Sequence, residues 1–181
     1  MQARAQTTPP PTRRRLLVGA AALCLPLSWA AAQTAGEVVV TGDVKQSVTL
    51  DVSALRAFPA GTQITMRSAL DPASQGRPFT VVRAVRLTSV LQLVGLAARE
   101  PTDSRKTVVM AIARDGYRVV FSWPELANTA TGDQAVVAYE RDDGPLGAPN
   151  GPLWLQVPGD TPTGARDVKQ LQRIEVRILR D

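Results

Sequence analysis

Two cations near the end of the chain stand where they could do chemistry. Arg166 and Lys169 follow Gly164, in a segment already punctuated by Gly144-Pro145, Gly151-Pro152 and Pro158-Gly159. Backbone so rich in Pro and Gly is held in a few special conformations. A loop of that kind with cations at its end can cradle an anion or a phosphate. The same residues also fit a plainer arrangement, in which strand connections carry two solvated basic side chains. Tyr117 and Trp154 can line a pocket with an apolar face and a hydrogen-bonding tip, or simply fill the edge of a core. Asp142, Asp143 and Asp160 would have to converge to hold a divalent cation, whereas loop aspartates beside glycine ordinarily make turns.

Other chemistries are closed off by what the chain lacks. Histidine is absent, and the single cysteine, Cys24, sits in an apolar N-terminal run. A Ser-His-Asp triad, a thiol nucleophile and a Cys/His metal cluster are therefore excluded from the remainder. Arg13-Arg14-Arg15 precede that run over 16–29, and Ala30-Ala31-Ala32 follow it. This is the order of a secretory leader, cut near position 32, and the arginine run also matches a twin-arginine export signal. Leu23 before Cys24 does not suit a lipid-attachment site. The expectation is a leader over 1–32 and one domain over 33–181, exported to the periplasm with no membrane span left after cleavage. Of 21 basic residues four (Arg4, Arg13, Arg14, Arg15) fall in the leader, which leaves 17 against 16 acidic ones. So nearly neutral a domain carries no nucleic-acid-binding stripe.

The elements that must position these residues are short. The patterns predict strands over 37–41, 47–50, 63–68, 79–87, 107–113, 117–121, 135–140 and 153–157, and a last strand through Ile174. Asp51 is placed to cap a helix over 52–57, Thr88 a second helix with Gly95 near its end, and Ser122 a third, with Trp123 as its packing anchor. Loops are expected over 71–78 and, as a polar surface loop, over 99–106; Asp115-Gly116 marks a hairpin turn. The fold class is α+β, mostly β, in a single domain.

Taken together, several landmarks form an ordered set. They are Leu87-Thr-Ser-Val-Leu91 with Gly95-Leu96, Asp115-Gly-Tyr117, Asp143-Gly-Pro-Leu146 and Gly151-Pro-Leu153. Val157-Pro-Gly159, Gly164 leading to Val168-Lys169, and Ile174-Glu-Val176 complete it. In this order they resemble the molybdopterin-binding domain of sulfite oxidase-type oxidoreductases, over 38–179. The resemblance implies that family's mixed α+β fold. It also implies a molybdenum centre held by a cysteine thiolate from the strand at 64–68, which here offers Met66, Arg67 and Ser68. Neither Ser nor Arg replaces a soft thiolate while keeping the metal's electronics. The family's His-Gly and Pro-Leu-Arg run reads Asn150-Gly and Pro152-Leu153-Trp154, and its Val-Lys-Trp reads Val168-Lys169-Gln170.

The expectation is a retained fold with altered chemistry: a non-catalytic binding module with no cofactor, molybdopterin being the one that the resemblance allows. A small anionic ligand or a periplasmic or membrane protein partner would occupy the ancestral pocket, near Arg67, Ser68, Tyr117, Asn150, Trp154, Arg166 and Lys169. Arg67 could supply a fixed positive charge in place of the metal ligand, or face outward with Gln63 and Thr65. The alternative is a molybdopterin-dependent oxidoreductase with non-cysteine ligation. A third possibility is a structural subunit whose pocket is filled by its own side chains.

Overall fold

A computed structural model of the chain describes residues 36–68, 80–161 and 164–180. The leader expected over 1–32 and the loop expected over 71–78 lie outside the described residues. Two five-stranded sheets dominate, as the alternating patterns predict.

The first sheet has the order β2-β1-β10-β5-β6. It consists of β1 (Glu37–Gly42), β2 (Val48–Asp51), β5 (Thr107–Ala113), β6 (Arg118–Ser122) and β10 (Leu171–Ile178). Its centre joins distant parts of the chain, because β1 runs parallel to β10 with Val40 opposite Ile174. Val38, Val40, Ile174 and Val176 are wholly buried there. Burying each contributes about 1.5–3 kcal/mol. Helix α2 (Leu87–Val94) presents Leu87, Val90, Leu91 and Val94 to the same core.

The second sheet contains β3 (Gln63–Ser68), β4 (Thr80–Arg86), β7 (Val136–Arg141), β8 (Gly144–Pro145) and β9 (Trp154–Gln156). Strands β3, β4 and β7 follow one another, and both β8 and β9 pair with β7. One face joins the main core through Val85, Val137 and Tyr139. The other face has a small core of its own, in which Val82, Ala84, Val136, Ala138 and Leu146 surround Trp154.

Two helix caps follow the local sequence. Asp51 accepts a hydrogen bond from the Ala54 N–H at 2.7 Å and starts α1 (Val52–Arg56). Ser122 accepts one from the Glu125 N–H at 3.2 Å and starts α3 (Trp123–Asn128), where Trp123 packs on the core. A further short helix, α4 (Ala130–Asp133), is capped by Thr129.

Two expectations need correction. Thr88 does not cap α2, which begins one residue earlier at the buried Leu87, with no side-chain cap. Its start is fixed from outside, by the Leu87 N–H donating to the Ala135 carbonyl at 2.8 Å. The stretch over 99–106 is not a plain surface loop either. It winds around Asp103, which is 6 % exposed and accepts from the Arg99 N–H at 2.7 Å and the Glu100 N–H at 3.3 Å.

Candidate functional site

The two Gly-rich segments near the end of the chain are joined through their backbones. Leu155 and Val168 exchange both N–H···O bonds, at 3.0 and 2.9 Å. The Gln170 N–H donates to the Asn150 carbonyl and the Leu171 N–H to that of Leu153, each at 2.8 Å. Gly151 is required by close approach: a Cβ there would lie 2.0 Å from the Leu146 carbonyl oxygen. Gln170 adopts a positive φ of 50° and donates from Nε2 to the Pro149 carbonyl, which braces the same junction. Asn150, Trp154, Arg166 and Lys169 are therefore carried by one braced unit, yet their side chains have different surroundings.

Arg166 is not available as an open anion donor. It is held by Asp160 through two hydrogen bonds of 2.9 and 2.6 Å and by Glu125 through a third, with its guanidinium 4.7 Å over the Phe121 ring. Asp160 foremost, and Glu125 after it, push the guanidinium's pKa further up, so it stays charged. This cluster fastens α3 to the loop before Arg166, and Asp160 is used there rather than in a cation site. Lys169, by contrast, is exposed. Near it Asp167 accepts from the Val157 N–H at 3.1 Å, while its other oxygen is buried with no hydrogen-bond partner. Burial pushes the Asp167 carboxyl up, against the pull of the Val157 N–H and of Lys169.

Strand alternation separates Arg67 from Ser68. Arg67 is exposed, on the face with Gln63 and Thr65. Ser68 is buried and accepts a hydrogen bond from Gln156 Nε2 at 2.8 Å. That bond brings the end of β3 onto β9 although β4 and β7 lie between them in the sheet, so the sheet curls around its small core. Trp154, wholly buried, fills that core, and its indole N–H meets no acceptor. Asn150 is buried at the junction of the two segments.

Tyr117 and Trp154 do not line one pocket. Tyr117 is 48 % exposed on the turn between β5 and β6, where its hydroxyl donates to the Ala165 carbonyl at 3.2 Å. Gln156 joins the site although no motif names it. Its signal was the lone polar side chain in the apolar run 153–157. Asp143 pairs with Arg141 at 3.0 Å. Among the described residues no three His, Cys, Asp or Glu side chains form a metal-binding group, and no helix is long and apolar enough to cross a membrane.

Fold and landmarks are those of one family, and the comparison with known proteins gives it directly. The chain belongs to the oxidoreductase molybdopterin-binding domain family, whose model matches residues 28–178. Among solved structures it is similar to the sulfane dehydrogenase SoxCD from Paracoccus pantotrophus, at TM-score 0.55 and 17 % identity. That likeness covers 80 % of this chain but 38 % of the other, so this chain spans well under half of its length. At such identity the likeness concerns the fold. No curated protein matches the chain.

The family implies a molybdopterin cofactor, and the side chains present do not fit a thiolate-held metal. Residues 33–181 contain neither Cys nor His. The sulfur on β3 is the Met66 thioether, packed on the small core. The Ser68 hydroxyl beside it is engaged by Gln156, and the indole of Trp154 fills the space under the curled sheet.

Proposed function

We propose that this protein is an exported, non-catalytic member of its family. In this reading it works as a binding module for a small anionic ligand or a protein partner at the braced segments around Lys169. The observation that carries the reading is the Ser68–Gln156 hydrogen bond above the buried Trp154. It uses the buried hydroxyl on the strand where the family's metal ligand is expected. Exposed Lys169 supplies the cation, and the Arg-rich leader supports export to the periplasm.

The test is to produce the chain with its own leader in a host that makes molybdopterin. Molybdenum in the purified protein is measured by mass spectrometry, and released pterin by fluorescence. The expected result is no stoichiometric molybdenum, with Lys169→Ala lowering affinity for small anions while the melting temperature holds. Stoichiometric molybdenum would overturn the reading. The chain would then be an oxidoreductase with oxygen ligation, and Ser68→Ala should release the metal.

A further inference from the structure

A groove of about 380 Å³ lies where α1 stops covering the second sheet. It is distinct from the segments around Lys169. Thr65 and Arg83, paired in register on β3 and β4, form one wall, and Phe58 stands on the other side. Their neighbours Met66, Val82 and Ala84 point to the opposite face, into the cluster around Trp154.

Three charges from three elements meet in this groove. Glu140 of β7 accepts from Arg56 Nη2 at 2.6 Å, from Arg56 Nε at 3.3 Å and from Arg83 Nη1 at 3.3 Å. The carboxylate is the sheltered hub, with its side chain 15 % exposed, whereas the two arginines are 54 % and 57 % exposed. Each guanidinium has five N–H donors in a planar fork. The contacts with Glu140 use one edge of Arg56 and one amino group of Arg83, so donors on both remain directed elsewhere. Two cations against one anion leave a net charge of +1.

The wall between them is built in advance. Gln63 donates from Nε2 to the Leu55 and Phe58 carbonyls at 3.0 and 3.1 Å, and its oxygen accepts from the Tyr139 hydroxyl at 2.9 Å. These bonds fix the backbone that carries Phe58, and the Phe58 ring gives the groove an apolar side. A volume in the range of small-molecule sites, an apolar wall and a few placed polar groups are what a ligand pocket needs.

We propose that this groove binds a small organic monocarboxylate, with its carboxylate on the open donors of Arg56 and Arg83 and its apolar body against Phe58. The charge decides between anions. A single negative charge balances the excess of +1, while a dianion such as phosphate would meet the Glu140 carboxylate without compensation, and an inorganic anion gains nothing from Phe58. The site is separate from the one around Lys169 and stands whether or not that reading holds.

Benzoate is the probe, titrated into the isotope-labelled chain and followed through backbone amide resonances. Saturable shifts are expected at Phe58, Thr65 and Arg83. Arg83→Gln and Arg56→Gln should each weaken binding about tenfold, the effect of losing roughly 1.4 kcal/mol. Glu140→Gln should tighten it, because the amide repels no carboxylate and releases guanidinium donors; a purely structural ion pair would not behave so. Lys169→Gln should leave benzoate binding unchanged, which separates this site from the other. Melting curves establish that each variant is folded. The proposal is overturned by the absence of saturable shifts in the groove, by folded Arg83→Gln and Arg56→Gln proteins that bind as well as the parent, or by phosphate binding as tightly as benzoate.

Discussion

Trp154 is the residue whose type most changes what the site can be. An indole buried completely on β9 takes up the volume under the curled sheet and leaves its N–H without an acceptor. The missing hydrogen bond is a cost, and the packing of the ring against Val82, Ala84 and Ala138 must exceed it. Trp154→Ala should therefore destabilise the fold by about 3–5 kcal/mol, the range for truncating a buried aromatic residue. Urea unfolding followed by circular dichroism measures this; a loss near zero would mean that the ring is not part of the core. The sequence indicated an apolar strand at this place and an aromatic side chain on it. It did not indicate which way the ring faces, because that depends on β3 folding across the sheet to meet Gln156. Arg166 gives the same lesson. Its position after a Gly-rich loop was legible, but its two carboxylates come from positions 125 and 160, and only the fold brings them together.

At the scale of single elements, local chemistry was a good guide wherever it acts alone. Ser122 followed by Trp-Pro-Glu predicted α3, and the cap is present. Ser122→Ala should cost about 1 kcal/mol, as the loss of an N-cap usually does; a thermal melt checks it, and an unchanged melting temperature would show that the Arg166–Glu125 contact holds α3 without its cap. Strand β5 spans the residues expected of it, since its apolar run is bounded by polar residues on one side and a hairpin turn on the other. The start of α2 was missed because it depends on Ala135, far along the chain. The turn around Asp103 was missed because a buried aspartate that accepts two backbone N–H bonds resembles any loop aspartate in sequence. Arg56, Arg83 and Glu140 carried no signal as a group, for they stand on a helix and two strands that become neighbours only in the folded sheet.

For the whole molecule, the carboxylates set how stability varies with pH. Asp43 lies between the first sheet's end and its last residues; the Ile178 N–H at 2.8 Å, with help from Arg180, holds its carboxyl below the usual range. Asp103 is held low foremost by the Arg99 N–H. Both acids bind protons less readily folded than unfolded. Their contribution is fully present above the ordinary value of 3.8 and is lost as pH falls through the lowered folded values. Asp167 acts in the opposite sense, because burial raises its pKa and its charging opposes folding as pH rises through the raised value. Acid titration of unfolding free energy should show a shallower fall below pH ~4 in Asp43→Asn than in the parent. An identical slope would show that the Ile178 contact does not survive in solution.

The parallel pairing of β1 with β10 has a consequence for how the protein is made. Val40 meets Ile174, which follows it by 134 positions. A ribosome therefore delivers one middle strand of the first sheet long before its partner. In between, β1 has β2 on one side and bare backbone on the other, with Val38 and Val40 uncovered. Such an edge invites pairing with foreign strands. Closing it is slow because the two ends must find each other across nearly the whole domain. The nascent chain is most vulnerable until β10 has emerged, and protection by a chaperone matters most over that interval.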